Sequence, residues 1–412
     1  MPVCAKIDYI DNNPSNGVEY DWKFIRKWLK KLDIPDIYYN PLSAPLSNAA
    51  WFVELSERAA GKTTGWELLG LVMYWLYGTV TIYVRSTKEQ IAPKNSSTLF
   101  DVVLDNGYIE KLTGGEYNTA VYRSRKWYLA KADDSGIVHI DSKYFCRMIA
   151  IEESGIIKSS FNETKGDLIL FDEFIPINPR QQRPNEFVEF VDVVSTVFRM
   201  RLCGKIVMLA NTIDKYNQYF HDLEIFETVG CMDMGDRSTV VTNHGTRIFV
   251  EMVGVAAEFR KKKKRWVEMF AGFGKRELSA ITGTAAWSVR NYQHIPQTES
   301  EDGEINVELI FTKLYIYNSF KYVRLDIVEN ADLGLCVYAH WATKTHSDSI
   351  IMTNEEMTDS RYIKGVAINT KLYRTLITLL RAGKFYFASN DVGTFVENYL
   401  IKNGVPNTHL YL

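Results

Sequence analysis

The chain has 412 residues, of which 46% are hydrophobic and 13% aromatic, and its 48 Lys and Arg against 50 Asp and Glu give a formal net charge of −2. This length exceeds one ordinary hydrophobic core and predicts two domains. The near-neutral charge excludes a protein that coats nucleic acid through its overall charge, so any contact with DNA or RNA must come from local patches.

The first elements have helical and then strand-like patterns. Residues 17–32 place Trp22, Ile25, Trp28 and Leu29 at helical spacing, which predicts an amphipathic helix that packs against the protein or another subunit. The longest apolar-rich stretch, residues 66–84, contains Glu67 and two glycines. We interpret it as a buried helix followed by a buried strand, and we predict no membrane association.

Strands and helices then alternate. Short apolar runs occupy 48–55, 79–86, 166–174 and 204–212, and the last three suit strands covered on both faces. Helical patterns occupy 62–77 and 184–201. Residues 116–151 alternate in polarity around a DDSG turn, which predicts antiparallel hairpins. The order predicts an α/β domain on a mostly parallel sheet.

The composition changes after residue 252. We predict a first domain over 1–252, a linker segment over 253–304 that includes the acidic stretch 297–304, and a smaller α+β domain over 305–412. The five cysteines are scattered and form no C-x-x-C pair. They indicate reduced thiols and exclude a zinc knuckle.

The stretch SERAAGKTT, residues 56–64, approaches the phosphate-loop pattern G-x-x-x-x-G-K-[ST], with Ser56 in place of the first glycine. It lies between an apolar strand and a helix, where backbone N–H groups can surround phosphates. Lys62 can reach the β- and γ-phosphates, and Thr63 can bind Mg²⁺. The predicted nucleotide-binding residues are Ser56, Glu57, Arg58, Ala59, Ala60, Gly61, Lys62, Thr63, Thr64 and Asn211.

Two adjacent acids, Asp172 and Glu173, end the apolar run 168–171. Asp172 can hold the Mg²⁺ shell, and Glu173 can polarise the attacking water. Asn211 and Thr212, at the end of the next apolar run, can sense the γ-phosphate. Together these residues predict a P-loop NTPase of the class with an additional catalytic glutamate (ASCE), with ATP and Mg²⁺ as ligands.

With these motifs, the chain resembles viral DNA-packaging ATPases, the terminase large-subunit motors. It is most similar to those of small podophages of the Picovirinae type. Arg58, three residues before Gly61, resembles the arginine of their Walker A loop and is implied to act on the γ-phosphate in cis. The similarity covers most of residues 38–220. It includes YNP (39–41), YVRSTK (83–88), FDEF (171–174) and the stretch 195–220, with a fainter YNSF at 317–320.

The resemblance implies a motor that translocates double-stranded DNA into a preformed procapsid. Its partners would be the portal protein, further copies in a homo-oligomeric ring, pentameric in this family, and in some phages a structural packaging RNA. The protein would act in the host cytoplasm, transiently attached to the procapsid. Arg199 matches the arginine finger that enters the neighbouring subunit's site, with Arg201 as a close rival, and Lys158 matches a basic residue used for coupling or DNA contact.

The family's C-terminal domain is RNase H-like. A nuclease of this type needs clustered carboxylates for two metal ions, but the first candidate strand, 309–316, has none, and Asp326 and Asp332 show no obvious partner. We therefore predict a vestigial nuclease. The basic run 260–265 suits either a solvated helix face or contact with nucleic-acid phosphates.

Two alternatives remain open from the sequence. One is a terminase whose nuclease is active, and the other is a nucleotide-binding structural adaptor that organises a ring without turnover. The Asp172–Glu173 pair argues against the adaptor, because a passive switch does not need the second acid.

Overall fold

The structure is a computed structural model of the whole chain. It describes residues 20–35, 39–57, 60–161, 163–176, 182–183, 185–199, 201–212, 217–254, 292–294, 307–318, 321–355, 357–366 and 371–405. The predicted arginine Arg58, its neighbour Ala59 and the basic run 260–265 lie outside these residues. The described residues divide into two compact units, one drawn from 1–175, 185–215 and 222–287 and the other from 176–184, 216–221 and 288–412.

Nine of the described strands form the sheet of the first unit, in the order β3-β4-β5-β2-β6-β7-β1-β9-β8. Six neighbouring strands of this sheet pair in parallel, namely β5, β2, β6, β7, β1 and β9. Antiparallel strands lie at both edges. The strands are β1 Trp51–Ser56, β2 Thr81–Arg85, β3 Thr119–Arg123, β4 Lys126–Ala132, β5 Val138–Ala150, β6 Leu168–Asp172, β7 Lys205–Asn211, β8 Arg237–Val241 and β9 Arg247–Val253. The predicted α/β fold with a mostly parallel sheet is confirmed.

Helices cover this sheet and contribute to one large apolar core. The core includes Trp66 and Leu69 from α2 and Phe52 from β1, each fully buried. The helices of this unit are α1 Trp22–Lys31, α2 Lys62–Tyr77, α3 Pro93–Ser96, α4 Asp101–Asp105, α5 Tyr108–Thr113, α6 Ser154–Ser160, α7 Glu186–Phe198 and α9 Phe226–Cys231. The helix α8, Gln218–Asp222, lies almost entirely in the residues of the second unit. Within the described ranges, no helix is both long enough and apolar enough to cross a membrane.

The second unit is built on a mixed sheet with the order β14-β13-β10-β11-β12-β15. An antiparallel meander, β10 to β12, is extended by parallel pairing on both sides. Its elements are β10 Val307–Asn318, β11 Lys321–Asn330, β12 Gly334–Ala342, β13 Ile350–Thr353, β14 Tyr362–Lys364, α10 Lys371–Arg381, β15 Phe385–Phe387 and α11 Asn390–Lys402.

Candidate nucleotide-binding site

The loop between β1 and α2 has the backbone geometry of a phosphate site. Gly61 directly precedes α2 with φ 74°, a left-handed conformation that residues with a Cβ rarely adopt. No side chain caps the start of α2, so its first N–H groups can bind an anion at the positive end of the helix. At Gly65 a Cβ would lie 2.2 Å from the carbonyl oxygen of Tyr39, so the helix start packs against the segment 39–41.

A cavity of about 530 Å³ lies at this loop. This volume is within the usual range for small-molecule sites. The cavity brings together most of the predicted ligands from three strand ends, although they are far apart in the sequence. It is lined by Ala60, Gly61, Lys62, Thr63, Thr64, Asp172, Glu173, Ala210 and Asn211.

Ser56, the residue that breaks the phosphate-loop pattern, has a direct partner in the site. The buried Lys62 donates a hydrogen bond from Nζ to Ser56 Oγ, and Ser56 Oγ donates to the carbonyl oxygen of Glu57. Burial lowers the pKa of Lys62 to about 8, although the negative charges of Asp172, Glu54 and Glu173 act in the opposite direction and raise it. The serine hydroxyl therefore gives a buried ammonium an acceptor where phosphate oxygens can later bind.

Thr63 and Asp172 form a pair of oxygen ligands at the mouth of the loop. Thr63 Oγ1 lies 3.4 and 3.3 Å from Oδ1 and Oδ2 of Asp172. A hydroxyl beside a carboxylate suits Mg²⁺, which prefers hard oxygen donors and one or two carboxylates beside substrate phosphates. The residues present therefore fit the metal that the motif implies.

Glu173 follows β6 in a strained backbone conformation. Its φ is 54°, and left-handed non-glycine residues cluster at functional sites. Its side chain is 54% exposed and forms an ion pair with Arg85, at 2.9 Å between Oε2 and Nη2. Arg85 Nη1 also lies 3.5 Å from Asp172 Oδ2, so one guanidinium from the end of β2 holds both predicted carboxylates.

Sequence reasoning missed Arg85 and also Tyr83, whose hydroxyl donates to Asp172 Oδ2 at 2.7 Å. Both lie on β2, which pairs directly with β6. A signal was present, because YVRS puts two side chains that can bond a carboxylate at the end of an apolar run. Their neighbour in space depends on strand order, which the run itself does not reveal.

A buried carboxyl network lies behind the loop, on β1 and β9. Tyr39 Oη lies 2.9 Å from Glu54 Oε1 and 2.5 Å from Glu251 Oε2, and Trp66 Nε1 donates to Glu54 Oε2 at 2.8 Å. Burial raises the pKa of Glu54 to about 8. The single hydroxyl proton of Tyr39 can go to only one carboxylate, so a protonated Glu54 that donates to Tyr39 satisfies the chain of bonds.

Asn211 and Thr212 lie beside the loop at the end of β7. Asn211 lines the cavity and is in register with Ser56 of β1. The backbone N–H of Thr212 donates to the carbonyl oxygen of Ser56 at 2.9 Å, and its Oγ1 lies 3.4 Å from the same oxygen. Ser56 therefore connects the loop directly to the end of β7.

The two rival arginines at the end of α7 have different environments. Arg201 is buried, with Nε 2.7 Å from Asp167 Oδ1 and further bonds to the carbonyl oxygens of Gly166 and Val197. Arg199 is exposed, has φ 43° and donates to the carbonyl oxygen of Phe161. Arg201 is therefore fully engaged in the fold, whereas Arg199 is accessible and strained.

Arg199 lies far from the cavity of its own chain. Arg201, two residues further on, bonds Asp167, which directly precedes β6. The end of α7 therefore lies at the amino edge of the parallel strands, whereas the cavity lies at their carboxyl edge. The five residues of β6 span about 16 Å at ~3.3 Å per residue. Lys158 is on the exposed surface of α6 and forms a pair with Asp192 at 3.5 Å.

In the second unit, Asp326 has an arginine and a histidine as partners. Asp326, which showed no obvious partner in the sequence, is buried on β11 and bonds Arg324 Nη2 at 2.9 Å and His340 Nε2 at 2.8 Å. Strand pairing places Arg324 opposite His340, a relationship that spacing did not reveal. In the part of the chain that the structure describes, no group of three or more His, Cys, Asp or Glu could hold a metal ion.

No family model matches the chain, and no curated protein sequence matches it. Several solved structures do match the chain. The Phi-28 gp11 DNA packaging motor matches with a TM-score of 0.54 and 16% identity, over 91% of this chain and 100% of that one. The bacteriophage Phi-29 viral genome packaging motor assembly matches with a TM-score of 0.55 and 19% identity, over 89% and 99%. This chain therefore has the fold of phage DNA-packaging motor proteins along most of its length.

Proposed function

We propose that the chain is an ATPase that drives double-stranded viral DNA into a preformed procapsid through the portal. The observation that carries the proposal is the cavity in which Gly61–Thr64, Asp172, Glu173 and Asn211 meet. The fold shared with two phage packaging motors supports the choice of substrate. The protein acts in the host cytoplasm while it is attached to the procapsid.

Each residue of the site has a part in hydrolysis. The free N–H groups at the start of α2 and Lys62 bind the phosphates, and Lys62 leaves Ser56 to do so. Thr63 and Asp172 would hold Mg²⁺, which would supply charge neutralisation to the phosphates. Glu173 orients and deprotonates the attacking water once it has left Arg85. Arg58 acts on the γ-phosphate in cis, and Asn211 with Thr212 senses its loss.

The proposal includes a homo-oligomeric ring, a pentamer by the resemblance, in which Arg199 completes the site of a neighbouring subunit. Its place at the amino edge of the sheet supports action in trans, because its own cavity lies at the opposite edge. Exposed apolar side chains on α6, α7 and the loop after α7 suit burial against another copy. They are Ile156, Val188, Val191 and Leu202, exposed by 62, 65, 39 and 73%.

Mixed rings test the proposal directly. Arg199→Ala subunits keep an intact cavity but lack the arginine, whereas Glu173→Gln subunits keep the arginine but lack the catalytic acid. Each variant alone should be inactive in DNA-stimulated ATP hydrolysis, and mixing the two should restore turnover. Arg374→Ala, which changes an arginine of the second unit, is the control that should keep full activity alone. Mixtures that stay inactive would contradict shared catalysis, and wild-type protein without turnover would favour the structural adaptor.

We also propose that the second unit is a vestigial nuclease of RNase H type, and that Lys158 contacts DNA or couples hydrolysis to its movement. A packaging RNA is a further partner in phages that have one. Incubation of the full chain with plasmid DNA and Mn²⁺ tests the vestigial state. Intact plasmid is the expected result, and cut plasmid would favour the terminase with an active nuclease.

A further inference from the structure

Asp172 must keep its orientation while the groups around it change. In the structure it has four neighbours within bonding reach: Thr63, Arg85, Tyr83 and the N–H of Glu173. Thr63 and Arg85 approach the carboxylate oxygens only to 3.3 and 3.5 Å, whereas the other two bond them at 2.7 and 3.0 Å. Two neighbours are left to hold the carboxylate through the cycle.

Of these two, Tyr83 is the more firmly placed. Its ring is 3% exposed on β2, a strand paired on both sides within the parallel core. Its hydroxyl makes the shortest bond to the carboxylate, at 2.7 Å to Oδ2, while the N–H of Glu173 bonds Oδ1 at 3.0 Å. The tyrosine hydroxyl has one proton to donate, and the Asp172 carboxylate accepts it.

We propose that Tyr83 is a positioning residue for the magnesium site. Its hydroxyl fixes Asp172 so that the remaining lone pairs of the carboxylate face Thr63 and the nucleotide. This inference rests on the proposed function. Carboxylates that bind metals are themselves held by hydrogen bonds, and loss of such a partner typically weakens metal affinity by 10- to 100-fold. Tyr83 acts through Asp172 and contacts neither the nucleotide nor the metal.

The test is Tyr83→Phe, which removes the hydroxyl and keeps the ring. In the full chain carrying Glu173→Gln to prevent turnover, we measure nucleotide affinity by calorimetry against Mg²⁺ concentration. The half-saturating Mg²⁺ concentration should rise about tenfold or more, whereas affinity measured with ATP in EDTA should not change. Equal Mg²⁺ dependence with and without the hydroxyl would overturn the proposal.

Tyr20→Phe is a matched control for loss of a buried tyrosine–aspartate bond. Tyr20 donates to Asp167 at 3.0 Å, is buried in the same unit and does not line the cavity. This variant should lose stability without changing the Mg²⁺ dependence. In an Asp172→Ala background, Tyr83→Phe should have no further effect on it, because the residue acts only through that carboxylate. A further effect there would also overturn the proposal, whereas absent nucleotide binding by the Glu173→Gln parent would instead contradict the proposed function.

Discussion

Arg85 and Glu173 form an ion pair across neighbouring strand ends, with 2.9 Å between Nη2 and Oε2. The same guanidinium lies 3.5 Å from Asp172, so the two carboxylates that we propose to serve the metal and the water share one cation. In the proposed mechanism, Glu173 therefore has to leave this internal partner before it can activate water.

Arg85→Ala should destabilise the protein without ligands by about 1–3 kcal/mol, because Asp172, whose side chain is only 12% exposed, loses a compensating charge. Mg²⁺ and a nucleotide analogue replace that charge, so their stabilising effect on Tm should be larger in the variant than in the wild type. Arg125→Ala, which removes an ion pair with Glu153, should show the wild-type ligand effect. Equal ligand effects in Arg85→Ala and wild type would contradict this role.

Glu173→Gln should leave nucleotide affinity within about threefold of wild type, since the phosphate ligands are unchanged. Hydrolysis should fall by about 10²- to 10⁴-fold, the usual contribution of a general base, and DNA packaging should stop. Steady-state phosphate release measures the loss, with Glu89→Gln as the control on an exposed glutamate. Wild-type turnover in Glu173→Gln would remove this residue from its role.

Arg199→Gly and Arg201→Ala should separate catalysis from folding. Glycine relieves the left-handed backbone at residue 199 but adds freedom to the unfolded chain, so stability should stay within about 1 kcal/mol of wild type. Arg201→Ala leaves Asp167 buried without its cation and should cost about 3–5 kcal/mol. Arg199→Gly should nevertheless lower hydrolysis by about 10³-fold or more. Urea unfolding and phosphate release check the two effects, and a strongly destabilised Arg199→Gly would favour a structural role.

The raised pKa of Glu54 predicts a pH dependence of stability. The folded protein holds this proton more tightly than the unfolded chain, so the stabilisation is complete below about pH 4.5 and is lost as pH rises through about 8. Glu54→Gln mimics the neutral acid and removes this dependence. The wild type should therefore lose stability relative to the variant between pH 5 and 8. Parallel urea midpoints for both proteins across that range would show Glu54 to be ionised in the folded state.

The sequence predicted the parts of the site that follow one another along the chain. Gly61, Lys62 and Thr63 are adjacent, and Asp172 with Glu173 ends an apolar run, so local pattern was sufficient. The sequence did not predict the contacts of Arg85, Tyr83 and Glu54, because these contacts depend on which strands are neighbours. The difference between the buried Arg201 and the exposed Arg199 could not be predicted either, because it depends on which side chain the helix end buries. That is decided by packing against Phe161, Gly166 and Asp167.

The proposed action of Arg199 on a neighbouring subunit has a consequence for ATP use in the host cell. In that arrangement a solitary copy would bind ATP but lack the group that triggers its hydrolysis, because the length of strand β6 separates Arg199 from the cavity of its own chain. Head-to-tail contacts that close into a ring would supply each site from the next subunit. Hydrolysis before assembly would then be prevented by the five residues of that strand, without a separate inhibitor.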